Sequence, residues 1–423
     1  MNNNQNIVSF KNKTAENIPL GWSSLPINEV FEFIGTSSFS RNDLNYEVEE
    51  DSIYYIHYGD IHATYKNAVL DFDTETRIPV LNKDIKPSAH LLKEGDLVIA
   101  DASEDYEGIG EALEVYNLGD KKALAGLHTF ALRDNSNKTA HGYRAYIFKN
   151  HEVKNKLKTI ATGSKVYGIS KGNLTKFIIT LPPYQEQQKI ARILSIWDKA
   201  IVLQQQLIAQ KQQNKKAIMK KLLTGELRFK GFETSQWRLK SLEEVALFKN
   251  GKGHETVVVE NGDFIIVNSK FISTEGNVIK YTNHNLSPLN KDEITLVMSD
   301  IPNGKALAKC FLIKYDNKYS LNQRICSLKA KVGTDSRFLY YILNRNQHFL
   351  GFNNGVSQTN LRKDEVQECP LMMPIIDEQK KIAFFLSGID KEINTLEKEL
   401  IALQKQKQGL MQQLLTGKLR VKI

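Results

Sequence analysis

From Glu186 the chain reads EQQKIARILSIWDK and runs on to LLTGELR at Leu222; from Glu378 it reads EQKKIAFFLSGIDK and runs on to LLTGKLR at Leu414. One constant offset of 192 residues relates the two stretches, without a gap. That period is too long for a solenoid unit, so each repeat is a whole domain followed by a helix, and the chain is a tandem duplication.

In the first copy Ile190, Leu194, Trp197, Ile201, Gln204, Ile208, Lys211, Lys215, Ile218 and Leu222 fall at alternating steps of four and three, the seam of a coiled coil. The second copy keeps the register with Ile382, Leu386, Ile389, Ile393, Leu396, Leu400, Leu403, Lys407, Leu410 and Leu414. Neither seam carries proline or glycine, so each segment is predicted to be one helix of roughly 38 residues, about 57 Å long. An apolar seam of that length needs a partner, and each copy is the obvious partner of the other. Orientation stays open at this point, because about 150 residues separate the two helices, enough for a globular domain of ordinary size. An antiparallel pair would relate the halves by a pseudo-twofold axis and set the two domains at opposite ends of a rod. Lys215 and Lys407 interrupt both seams at the same position and are candidates to fix register.

The domain starts match as well: Trp22 followed by Glu29-Val30 corresponds to Trp237 followed by Glu244-Val245. Between these points and the helices the pattern changes to short runs bounded by turn residues. YYIHYGDI, DLVIADA and KFIITLP in the first copy, with DFIIVNSKFI, EITLVMSDI and AKCFLIKY in the second, read as strands. The expected organisation is a tail over 1–20, a domain over 21–183, a long helix and linker over 184–230, a second domain over 231–375, and a second long helix and tail over 376–423. The fold class is α+β: two mixed α/β domains in tandem, each followed by a long helix.

With 423 residues, 41% apolar and 25% charged, the composition is that of a globular chain with more than one domain. No apolar run approaches the roughly 20 residues of a spanning helix, and the start MNNNQNIVSFKNKT has no signal-like stretch, so a cytoplasmic location is expected. Cys310, Cys326 and Cys369 show no CxxC spacing and are expected to be buried, reduced thiols. The net charge of +9 is concentrated in the repeats: residues 185–230 carry ten Lys or Arg against three Asp or Glu, and residues 377–422 nine against six. The remainder of the chain is close to neutral, so DNA held by the domains would be held through local clusters rather than bulk charge.

Two such clusters precede the helices: TGSKVYGISKGNLTK from Thr162 and NNGVSQTNLRKDE from Asn353, again at the offset of 192. Lys165, Tyr167 and Lys171 in the first, and Gln358, Asn360 and Arg362 in the second, are side-chain types that reach phosphates and base edges. Asn268 and Lys270, and Asn322, Gln323 and Arg324, are further candidates at strand edges. Catalytic motifs are missing from the sequence. Leu181-Pro182-Pro183-Tyr184 has the PPY of amino-methyltransferases, but leucine stands where an Asp, Asn or Ser must accept from the target amino group. The second copy, Met373-Pro374-Ile375-Ile376, drops even that. Gly108-Ile109-Gly110 lacks the third glycine of a dinucleotide fingerprint, and no phosphate-binding loop occurs. His57, His62 and His128 lie in strand-like segments and suggest packed or surface roles rather than a metal site. Alternatives to DNA recognition are a coiled-coil scaffold with protein-binding domains, or a fused methyltransferase or nuclease.

Domains opening at a GW or QW step, followed by EQxxIAxxLSxxD, a long coiled coil and an LLTGxLR ending, resemble the specificity subunit of type I restriction-modification systems. The resemblance covers essentially the whole chain, and YGDI, VMSDIPNGKA and LLTGELRFKGF are pieces typical of that family. It implies two target recognition domains, each reading one half of a bipartite duplex DNA target. Two antiparallel helices would set the spacer, and no catalytic residue is expected. It also implies partners: two copies of a modification subunit bringing S-adenosylmethionine, and a restriction and translocase subunit using ATP and Mg. No cofactor is implied for this chain itself.

Overall fold

The computed structural model describes residues 18–302 and 304–422, so most of the expected tail over 1–20 lies outside the described residues. Two compact units emerge, and their borders cut across both long helices. One unit runs to Gln205 and adds the chain from Lys398 onward; the other is Gln206–Glu397. Each therefore contains one globular part, a portion of the first long helix (Tyr184–Thr224) and a portion of the second (Ile376–Leu415).

In the first unit, Ser23–Pro26 pairs antiparallel with Ile178–Leu181, laying the start of the domain against the residues that enter the first long helix. Arg238–Ser241 and Pro370–Met373 do the same in the second unit. Proline follows each inner strand, since it cannot donate to a further ladder bond. The glutamine of the repeated Glu-Gln pair then fixes the corner. Gln187 donates to Pro182 O (2.9 Å) and Lys138 O (3.0 Å) and accepts from Ala140 N (2.8 Å). Gln379 donates to Pro374 O (2.8 Å) and Gly333 O (3.2 Å) and accepts from Asp335 N (2.9 Å).

Each globular part is built on two sheets. The first unit has a five-stranded sheet in the order Glu32–Ile34, Thr129–Arg133, Leu97–Ala100, Ala112–Tyr116, Val69–Asp71, and a four-stranded one in which Ile53–Ile56 runs parallel to Lys122–Ala125. The second has Ala246–Asn250, Ile325–Ala330, Ile294–Val297 and Cys310–Leu312 in one sheet, and in the other Phe264–Val267 parallel to Tyr319–Leu321. Leu97–Ala100 and Ile294–Val297 are buried at all four positions, as strands covered on both faces should be. One core of the first unit joins these strands to Ile190, Leu194 and Leu414, and one core of the second joins its strands to Leu222, Ile382 and Leu386. The helices are therefore packed into the domains rather than appended to them.

Within each unit the two helices run antiparallel. In the first, Glu186 meets Arg420 and Asp198 meets Lys407; in the second, Lys211 meets Glu392, Lys215 meets Asp390 and Arg228 meets Glu378. Residue numbers rise along one helix as they fall along the other. The apolar seam is the inner face: Ile190, Leu194, Ile208, Leu222, Ile382, Leu386, Ile393 and Leu414 are buried. Trp197, Ile201, Ile218, Ile389, Leu396, Leu400, Leu403 and Leu410 are half-buried. Off the seam, Ile196, Leu203, Phe384 and Ile401 are between 59% and 73% exposed.

Two runs read as strands bend into helices. YYIHYGDI leaves its strand at Ile56 and forms the helix Tyr58–Ala63; DFIIVNSKFI leaves its strand at Val267 and forms Ser269–Ser273. The cause is a cap at the same place in each. His57 Nδ1 accepts from Gly59 N (3.1 Å) and Asn268 Oδ1 from Phe271 N (2.9 Å), satisfying donors that a helix start leaves free. His57 and His62 therefore belong to a helix, and His128 to a turn, not to strands. Cys310, Cys326 and Cys369 are free and buried, and burial pushes the thiols of Cys326 and Cys369 up to about 12.

Candidate nucleic-acid interface

In the second unit three backbone bonds tie four segments together. Asn322 N donates to Val267 O (3.1 Å), Met298 N to Arg324 O (2.9 Å), and Leu361 N to Met298 O (2.7 Å). Arg324 holds φ at 66°, a left-handed conformation that non-glycine residues adopt at a cost and that clusters at functional sites. Asn250, Gly251, Met298, Ser299, Arg324, Asn360 and Leu361 line an open pocket of about 310 Å³. Ser299 Oγ donates to Asn360 Oδ1 (2.6 Å), and Gln358 Nε2 reaches Ser299 Oγ (2.9 Å) and Asn360 Oδ1 (3.1 Å). Amides, a hydroxyl and a guanidinium at one opening are the donors and acceptors that read base edges.

The turn 322–324 is held from below. At Gly251 the backbone passes so close that a Cβ would lie 1.9 Å from Asn322 O, so this position requires glycine. Buried His254 bonds Asn322 Oδ1 (3.2 Å) and Lys252 O (2.7 Å) through Nδ1, and Ser320 Oγ (2.7 Å) through Nε2.

The first unit has the same three bonds. Gly126 N donates to Ile56 O (3.0 Å), Asp101 N to His128 O (3.0 Å), and Ile169 N to Asp101 O (2.8 Å). His128 is left-handed too, with φ at 57°. Gly126, Leu127 and His128 thus occupy the places of Asn322, Gln323 and Arg324, and His57 that of Asn268. Here the prop is Tyr55, whose buried hydroxyl donates to Ser37 O (2.8 Å) and accepts from Leu127 N (2.9 Å) and Phe39 N (3.1 Å). Tyr55→Phe is expected to cost about 1–3 kcal/mol, because two N–H groups lose their acceptor. Hydrogen exchange of the amides around residues 37–39 and 126–128 in the full chain measures it locally, and a loss below about 0.3 kcal/mol, well under one hydrogen bond, would show that the hydroxyl does not support the turn.

Several sequence candidates converge on the second frame: Arg324 and Asn360 line the pocket, Gln358 bonds to its rim, and Asn322 and Gln323 share the turn, where Gln323 also bonds Glu255. Asn268 spends its side-chain oxygen on the helix cap, with Lys270 exposed two residues on. Arg362 stands apart, its guanidinium directed at Glu365 (3.0 Å) and Asp364 (3.4 Å). In the first unit Tyr167 lies on the frame, paired with Ser103 and edge-on to Tyr106 at 5.0 Å. Lys165 is exposed in the tight turn before it, and Lys171 places its ammonium 5.1 Å over the ring of Phe33. His57, Leu127 and His128 were not singled out as readers by the sequence. The offset of 192 that aligns the flanks grows to 211 between His57 and Asn268 and 196 between His128 and Arg324. Among the described residues no cluster of His, Cys, Asp or Glu could hold a metal ion, and no helix is long and apolar enough to cross a membrane.

Two sheet-based domains, each packed on an antiparallel helix pair, make up this fold, and comparison with known proteins supplies its class. The chain matches the type I restriction modification DNA specificity domain over residues 19–212 and again over 234–405. It is 27% identical over 436 residues to a putative type I restriction enzyme MjaX specificity subunit of Methanocaldococcus jannaschii, covering 98% of this chain and 97% of that protein. It is also 27% identical to the MjaVIII specificity subunit of the same organism, over 82% of this chain and 83% of the relative. The fold is that of a type I restriction-modification S subunit from M. genitalium, with a TM-score of 0.55 at 15% identity over 94% of this chain and 97% of that one. The chain belongs to the type I restriction-modification DNA-specificity family, as a subunit with two tandem recognition domains, and its role is recognition rather than catalysis.

Proposed function

We propose that each unit reads one half of a bipartite duplex target through the frame described above. The observation that carries this is the recurrence of one set of backbone bonds under different side chains, Gly126-Leu127-His128 in one unit and Asn322-Gln323-Arg324 in the other. A constant scaffold with variable readers is what two unlike half-sites require. Exchanging 21–183 for the corresponding domain of a relative is expected to change one half of the methylated sequence and leave the other intact. Methylome sequencing of cells carrying the chimera with its modification partner checks this. A chimera that methylates with both halves unchanged would favour the scaffold reading.

The two long helices offer pseudo-equivalent docking surfaces for two modification subunits, which carry S-adenosylmethionine; a restriction and translocase subunit using ATP and Mg completes the complex, in the cytoplasm. Helix length sets the spacer between half-sites. One heptad added to both helices lengthens each by about 10 Å, roughly three base pairs. The methylated spacer is expected to grow accordingly, and an unchanged spacer in an active complex would overturn the ruler.

A further inference from the structure

The first reading turn carries no arginine or amide, so its chemistry differs from that of the second. His57 Nδ1 accepts from Gly59 N at 3.1 Å. An imidazole nitrogen that accepts an N–H is unprotonated, so the proton of the neutral ring sits on Nε2, which is left as a donor. Burial holds the His57 pKa down and so favours that neutral form. His128 has the opposite arrangement. Its Nδ1 stands 3.4 Å from Asp101 Oδ1, the side on which a neutral ring would carry its proton, so that Nε2 of that tautomer is an acceptor. Tyr58 lies between them, its ring centroid 4.8 Å from that of His57 and 5.3 Å from that of His128. At the tip, Leu127 is 43% exposed, although its backbone is tied down by Tyr55.

From these positions we infer that the first unit reads an A·T pair of its half-site in the major groove through His57, Leu127 and His128. The adenine N6 group is a donor that meets the acceptor of His128. The adenine N7 and thymine O4 are acceptors suited to the His57 donor, and the thymine methyl suits Leu127. Neither G·C orientation presents that methyl. The second unit, with Arg324 at the equivalent place, offers instead the fork that suits guanine O6 and N7. Tyr58 is a positioning residue that holds the two imidazoles apart. This inference rests on the proposal that the frames read DNA.

The test uses the full chain assembled with its modification subunit, selecting duplexes from a pool randomised across both half-sites. Wild type is expected to require an A·T pair in one half. His128→Ala and His57→Asp are each expected to relax that requirement about tenfold, the worth of one base-edge bond, with the other half unchanged. His57→Asp keeps the helix cap, since an aspartate oxygen accepts from the helix start as Asn268 does in the second unit, and it removes the donor, so a loss of folding does not confuse the result. Leu127→Ala is expected to lower the preference for thymine over uracil at the same pair. Arg324→Ala serves as the control and is expected to relax only the opposite half. If Arg324→Ala relaxes its half while all three first-unit variants keep wild-type preferences within about twofold, the assignment to His57, Leu127 and His128 is wrong. If Arg324→Ala also leaves both halves intact, DNA reading by the frames is what fails.

Discussion

Arg228→Ala is expected to destabilise the second unit by about 3–5 kcal/mol, the cost of stripping the partner from a buried charge. Glu378 is completely buried, and the Arg228 guanidinium meets it with two prongs, Nε to Oε1 at 2.5 Å and Nη2 to Oε2 at 2.9 Å. The same guanidinium donates to Phe232 O (2.5 Å) and Ser235 O (2.9 Å) and lies 5.5 Å from the ring of Trp237, whose Nε1 donates to Glu378 (3.2 Å). One side chain thus binds the end of the first helix, the start of the second helix and the first residues of the domain. Without it the carboxylate keeps only a tryptophan and a serine donor. Arg228→Lys should rescue little, because an ammonium cannot supply the planar fork. Hydrogen exchange of the amides in residues 376–390 reads the loss locally, which matters in a chain of two units where a single melting curve is not a two-state quantity. A loss under 1 kcal/mol, roughly the worth of an exposed pair, would show that water already reaches Glu378.

The same clasp recurs between Glu186, Arg420 and Trp22, where the guanidinium bonds both carboxylate oxygens at 2.7 Å. The opening repeat was therefore legible as a pattern before it was legible as a contact. Glu-Gln at the head of each helix and Leu-Arg at the tail of each are the two halves of one joint, and each head closes on the tail of the other helix. Only the antiparallel arrangement brings them together, and periodicity alone leaves orientation open. The seam was readable because burial selects a residue type every three or four positions, from Ile190 through to Leu414. Strand assignment failed at both corners: histidine at 57 is outside the usual capping set, and Asn268, at the equivalent place, did carry the capping signal but stands within an apolar run that reads as a strand. The turns proposed to read DNA were half legible for a related reason. Asn322, Gln323 and Arg324 look like DNA-contacting residues by type, whereas Gly126, Leu127 and His128 gain a role only from hydrogen bonds spanning some 70 residues of chain, such as Gly126 N to Ile56 O.

Lys407→Asp is expected to cost the first unit a further 3–5 kcal/mol, about as much as an unpaired buried charge, and Asp198→Lys added to it should restore most of that. Lys407 pairs with Asp198 across the helices, and Asp198 Oδ2 accepts from the buried Tyr146 hydroxyl at 2.7 Å. In the second unit Lys215 pairs with Asp390, which accepts from Tyr341 at 2.6 Å. Lys215 and Lys407 occupy the same seam position, and Asp198 and Asp390 stand at equivalent places one residue after the seam residues Trp197 and Ile389. A parallel pair in register would place lysine against lysine and aspartate against aspartate; the antiparallel pair gives each lysine an aspartate. The polar interruption therefore selects orientation as well as register, a use of buried charge that opposes the competing arrangement more than it stabilises the native one. A double-mutant cycle between positions 198 and 407 separates these roles. Strong coupling there, with none between 407 and 215, is the antiparallel outcome; coupling between the two lysines would demand the parallel one.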